Sequence, residues 1–196
     1  MARRKRKRSR VGPKRIARMV KIPAPYFESL DLSYLLYPSF YQFENGLKIV
    51  IDSFLKTCYG PDWWNTSLRV RREGIFEYAA NQRRRLDSMP WIGDSASVEV
   101  LPIHLITLGQ LEEVVKEYRS ECIPDVFPNI EFFLGHMEVI KRVRNMYSHM
   151  FPCITRTNCA DARSEIRILA RHINAKLLNL PSAPLPSPQS AGTPQV

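Results

Sequence analysis

Arg144 and His149 are the two residues whose types and spacing admit chemistry. Ile130, Phe133, Met137 and Ile140 recur at helical spacing, and Arg144 follows one turn later on the same stripe. A guanidinium on a core-facing stripe must be paired, or must face a cavity that holds an anion. Five residues on, His149 supplies an imidazole able to titrate near neutrality, just before Phe151-Pro152 ends the helix. Such a pair suits phosphodiester chemistry with no metal or other cofactor. The arginine stabilises charge developing on phosphoryl oxygens. The imidazole moves protons to or from a ribose hydroxyl or a leaving oxygen. Asn145 lies beside the arginine, and Tyr147 and Ser148 add two hydroxyls. Spacing alone also fits a plainer arrangement, in which Arg144 pairs with Glu44 or Glu138 and His149 caps a helix end.

The elements that must position this pair read as helices. Ser39 is the expected cap of a helix carrying Phe43, Leu47, Val50, Ile51, Phe54, Leu55 and Cys58 on one stripe, closed by Gly60-Pro61. A second helix is expected from Pro61-Asp62 to about Leu86. Residues 88–103 read as irregular, with 97–101 the single, short strand candidate. Thr107 and Gln110 have the spacing of a capping box ahead of Leu111, Val114, Val115 and Tyr118. A loop around Pro124 and Pro128 leads into the Arg144 helix, and Asn158 starts a last helix with Ala162, Ile166, Leu169 and Ile173. Five helices with connections of mixed length predict an all-α bundle of four to five helices.

Charge is unevenly distributed. The chain has a formal net charge of +10, yet residues 1–21 hold 11 Lys or Arg and no acid, and the remainder carries 18 basic against 19 acidic side chains. Basicity is thus a property of an arm (1–25), not of the domain (26–179), and a Pro/Ser-rich tail follows from 180. Arg3, Arg4, Lys5, Arg6, Lys7 and Arg8 are the expected RNA contacts, binding phosphates through counterion release with little sequence preference. In a eukaryotic cell the same run would serve as a nuclear import address, and the plainer alternative is a tail that only solubilises the chain. No apolar run approaches the roughly 20 residues needed to span a membrane. No CxxC spacing links Cys58, Cys122, Cys153 and Cys159, so reduced thiols in the cytoplasm are expected.

Smaller features have plainer readings. Arg69, Arg71, Arg72 and the run Arg83, Arg84, Arg85 either form a solvated helix face or border an RNA groove. Trp63 and Trp64 either stack on bases or pack in the core. His104, His136 and His172 lack ligand spacing and read as ordinary helix or loop histidines.

The string Arg144-Asn145-Met146-Tyr147-Ser148-His149 resembles the R-x(4–6)-H signature of the HEPN superfamily (higher eukaryote and prokaryote nucleotide-binding domains). Phe43-Glu44-Asn45-Gly46-Leu47-Lys48 resembles the E-N-x-L-[RK] start of the first helix in one branch. Tyr59-Gly60-Pro61-Asp62-Trp63-Trp64 is similar to the Y-G-x-D-W-W turn after it. Thr107-Leu108-Gly109-Gln110-Leu111, with Phe127 and Phe133 beyond, is similar to the T-x-G-x-L helix start that precedes the motif helix. Together these resemble the SWT-type HEPN domains over about residues 37–178. The resemblance implies a helical bundle and metal-independent RNA cleavage at a site assembled across a homodimer. It also implies Arg144 and His149 as the catalytic pair, supported by Asn145 and Tyr147, with Glu44 as an orienting carboxylate. A bacterial setting would suggest a stress or phage-defence role with an antitoxin or other regulatory partner; a eukaryotic one, RNA surveillance. Many HEPN domains bind or scaffold without cutting, so a non-catalytic RNA-binding or dimerisation module is the alternative.

Overall fold

A computed structural model describes residues 24–89, 100–149 and 154–178. The longest element, α1 (Ala24–Tyr59), begins well before Ser39, which lies inside the helix and does not cap it. The reason is burial. Leu36, Phe40, Phe43, Leu47, Val50, Ile51 and Leu55 make one continuous inward stripe across Pro38. Pro38 removes one intrahelical hydrogen bond, but it sits at an exposed position and the stripe carries the helix through it. At the other end Gly60 adopts φ +86°, and its N–H donates to the carbonyl of Lys56 at 2.9 Å, as the Gly-Pro pair predicts.

The expected second helix is broken. A π-helical turn (Trp64–Leu68) runs into the single turn α2 (Arg69–Arg71), the chain kinks at Arg72, and α3 (Glu73–Asp87) follows. Trp63 and Trp64 are both buried and meet edge to face at 5.3 Å. Neighbours on a regular helix point about 100° apart, so turning both indoles inward disturbs the helical repeat. Trp63 donates its indole N–H to the buried Asp52 carboxylate at 3.0 Å, which fixes the turn to α1.

The chain resumes through a 3₁₀ turn (Pro102–Leu105) into α4 (Leu108–Glu117), where Thr107 and Gln110 form the expected capping box. The expected loop at Pro124 is instead part of α5 (Arg119–Val126), because Cys122, Ile123 and Val126 turn inward while Pro124 faces out. Asn129 caps α6 (Ile130–Ser148), accepting from the N–H of Phe132 at 2.6 Å. Thr155 caps α7 (Arg156–Leu177), so Asn158 closes a capping box three residues in and does not start the helix.

The result is an all-α bundle with, among the described residues, seven helices and no strand. Short elements, not extra long ones, account for the excess over five. α1 lies along α7, α7 along α6, and α4 and α5 close the other side. Gly46 permits the first contact: a Cβ there would stand 3.3 Å from Ile173 Cγ2. No described helix is long and apolar enough to cross a membrane. The basic run at 3–8, most of the strand candidate at 97–101, and the tail from 180 lie outside the described residues.

Candidate nucleic-acid site at the end of α6

The buried stripe of α6 runs Phe133, Met137, Ile140, Val143, which puts Arg144 on its edge, half-buried. None of the ion pairs among the described residues involves Arg144. Glu44, one partner that the spacing allows, accepts instead from Lys48 at 2.8 Å. Lys48 is buried and also donates to the carbonyl of His104 at 3.4 Å, so Glu44 helps to neutralise a cation inside α1. Glu138, the other allowed partner, is exposed.

His149 stands at the C-cap of α6, where its backbone N–H donates to the carbonyl of Asn145 at 3.0 Å. Both His149 and Asn145 are exposed. The helix-ending half of the plainer reading therefore describes His149. On one helix, residues five apart stand about 140° apart around the axis, so α6 alone does not aim Arg144 and His149 at one point. Tyr147 lies between them and packs back onto α1, stacked on Phe40 with centroids 6.4 Å apart and tilted against Tyr37 at 6.2 Å. Burial and the neighbouring Tyr37 push its hydroxyl up, against a smaller downward pull from Arg144, so Tyr147 is a neutral phenol at physiological pH.

Comparison with family models, with curated proteins and with solved structures finds no match. The resemblance to HEPN domains rests on the motifs alone.

Several of the remaining candidates are engaged within the fold. Trp63 and Trp64 are core residues and are not available to bases. In the second basic set, Arg71 lies over the rings of Tyr59 and Tyr118, at 5.4 and 5.0 Å. Arg72 binds Glu117 at 2.9 Å, and Arg83 binds Asp87 at 3.1 Å. Arg84 and Arg85 line an open cleft with Tyr78, Asn81, Gln82 and Ser88. Among the described residues no three His, Cys, Asp or Glu side chains are grouped as metal ligands. Cys58, Cys122 and Cys159 are free thiols, and Cys153 lies outside the described residues.

Two features escape a reading by local spacing. His136 contacts the Glu165 carboxylate through Nδ1, and Phe132 meets both His136 and His172 edge-on, at 4.4 and 5.3 Å. That cluster joins α6 to α7 across 29 residues of sequence, and no motif announces it. The other is a row of exposed rings on the first half of α1: Tyr26, Tyr34, Tyr37 and Tyr41, with Leu30 among them. Its i, i+4, i+8, i+11, i+15 spacing is legible in the sequence once the helix is known to start before Ser39.

Proposed function

We propose that this protein is an RNA-binding helical domain that cleaves RNA at the end of α6, without a metal, by attack of a ribose 2′-hydroxyl on the adjacent phosphate. The observation that carries the reading is the last turn of α6: a half-buried arginine outside every described ion pair, and an exposed histidine at the C-cap. His149 takes the proton from the 2′-hydroxyl or returns one to the departing 5′-oxygen. Arg144 holds the phosphoryl oxygens as negative charge grows on them. The bond from phosphorus to the 5′-oxygen breaks as the bond to the 2′-oxygen forms, leaving a 2′,3′-cyclic phosphate and a 5′-hydroxyl. Asn145 offers an amide to the same strand, and Tyr147 holds the turn against α1. A second copy of the chain would bring its own His149 to this Arg144, which answers the angular separation of the two within one helix.

A second reading is favoured by that same separation. With the two side chains on different sides of α6, the domain binds RNA as a non-catalytic module. Incubation of single-stranded RNA with the full chain in EDTA distinguishes them. Cleavage by the wild type, lost on His149→Ala and on Arg144→Ala, is the expected result. Retention of uncut RNA by all three proteins sinks catalysis and leaves the binding module.

A further inference from the structure

We infer that the ring row on the first half of α1 is a base-stacking surface for single-stranded RNA that leads to the end of α6. This rests on the reading of RNA as the substrate, though not on cleavage. Tyr26, Leu30, Tyr34, Tyr37 and Tyr41 fall within an arc of about 80° and run about 22 Å along the helix. They are 45%, 38%, 59%, 50% and 59% exposed, respectively. So much ring surface on one unpaired arc stands out in a domain whose other aromatics are mostly turned inward.

Three observations select nucleic acid as the occupant. First, the row is made of tyrosines, whose flat faces accept any base and whose hydroxyls remain in water. Tyr37 and Tyr41 stand 6.0 Å apart and Tyr37 and Tyr147 6.2 Å apart, so these three rings form a connected series that crosses from α1 to α6, with Tyr34 and Tyr26 continuing the same arc toward the start of α1. Secondly, the charges fit a polyanion. Glu28 and Asp31, the acids on this stretch of α1, lie at about 200° and 140° around the helix from Tyr26, outside the arc. The 11 cations of residues 1–21 end three residues before α1 begins at Ala24. A strand of phosphates neutralises these cations, which adjoin the row in sequence. Thirdly, the series ends at Tyr147, one turn from Arg144 on α6, so a strand laid along the rings arrives at the proposed site of cleavage.

The test uses the full chain carrying His149→Ala, so that no cutting intrudes, and a fluorescent single-stranded 15-mer of uridine at several salt concentrations. Replacing Tyr34, Tyr37 and Tyr41 together with alanine should weaken binding about tenfold or more, with the salt slope unchanged, because stacking is worth that much and arm contacts are left alone. The three phenylalanine replacements should restore binding, and an abasic strand of equal length should not distinguish the His149→Ala parent from the alanine variant. Equal affinity of the alanine variant and the parent for the uridine strand overturns the inference. So does an alanine variant that turns a dimer into a monomer on sedimentation with RNA affinity intact, which would make the row a face for a second copy. Cleavage by the wild type does not enter either outcome, so this inference and the proposed chemistry can fail separately.

Discussion

Between α4 and α6, Glu112 has a side chain only 6% exposed and takes two cations at once, Lys116 at 2.8 Å and Lys141 at 2.5 Å. One turn further along α6, Arg144 enters no described ion pair, and across from it a row of tyrosines stays open to water. The same helix therefore closes its charges at one place and leaves them open at the next. Buried charge is expensive unless paired, so the Glu112 cluster is what stability demands. An open arginine beside open rings contributes little to folding, and that contrast marks the α6 end as the surface to examine for function. Among the described residues no buried polar side-chain atom lacks a partner, so the openness is confined to the surface.

The contrast can be broken most directly at Glu112. Glu112→Ala leaves Lys141 without its carboxylate and Lys116 with Glu113 alone, and should cost about 1–3 kcal/mol in urea unfolding, reduced because both lysines are partly exposed. Arg144→Ala should change stability by less than about 0.5 kcal/mol. If the two losses come out alike, Arg144 is a structural cation and the contrast collapses.

A smaller effect concerns pH. Burial, with the nearby Lys48 charge, lowers the His104 imidazole from its ordinary 6.5, against an opposing pull from Asp52. The unfolded chain then binds a proton that the folded chain refuses, so stability falls as pH drops below about 6.5. His104→Gln should flatten that part of the curve. Burial also raises the Glu112 carboxyl, but its bonds to Lys116 and Lys141 outweigh this and leave it lowered from 4.5. Its contribution is present above that value and is lost only in more acid solution, as pH falls through the lowered folded-state value. A thermal melt series from pH 7.5 to 3.5 separates the two limbs; an unchanged slope between 6.5 and 5 in His104→Gln would exclude His104 as the source of the first.

The smallest effect should come from the rings. Tyr34→Ala and Tyr41→Ala, each at an exposed position, should each shift stability by no more than about 0.5 kcal/mol. A loss of 2 kcal/mol or so would mean that the row is packed against something in the folded chain.

Much of the bundle was legible because its signals are local. The Thr107–Gln110 box, the Gly60-Pro61 stop and the Phe133, Met137, Ile140 stripe each lie within a few residues and appear in the structure as read. Errors arose where tertiary burial overrode local chemistry. Ser39 suggested a helix start and Pro124 a loop, but helices run through both, because Pro38 and Pro124 stand at exposed positions on helices whose other faces are buried. The adjacent tryptophans gave no hint that accommodating both would break a helix. At the candidate site, the sequence located Arg144 and His149 on the last turn of a helix. It did not separate an arginine on the core stripe from one at its edge, because Val143 and Arg144 both continue the spacing from Ile140. The Glu44–Lys48 pair, at i, i+4, is readable from local spacing and competes with the longer-range role expected for Glu44.

The most direct measurement for the central claim is end-group analysis of single-stranded RNA after incubation with the full chain in EDTA, beside the same sequence with every 2′-hydroxyl methylated. Products ending in 2′,3′-cyclic phosphate from the unmodified strand, none from the methylated strand and none from His149→Ala, are what the account predicts. Cutting of the methylated strand, or undiminished cutting by His149→Ala, would contradict it.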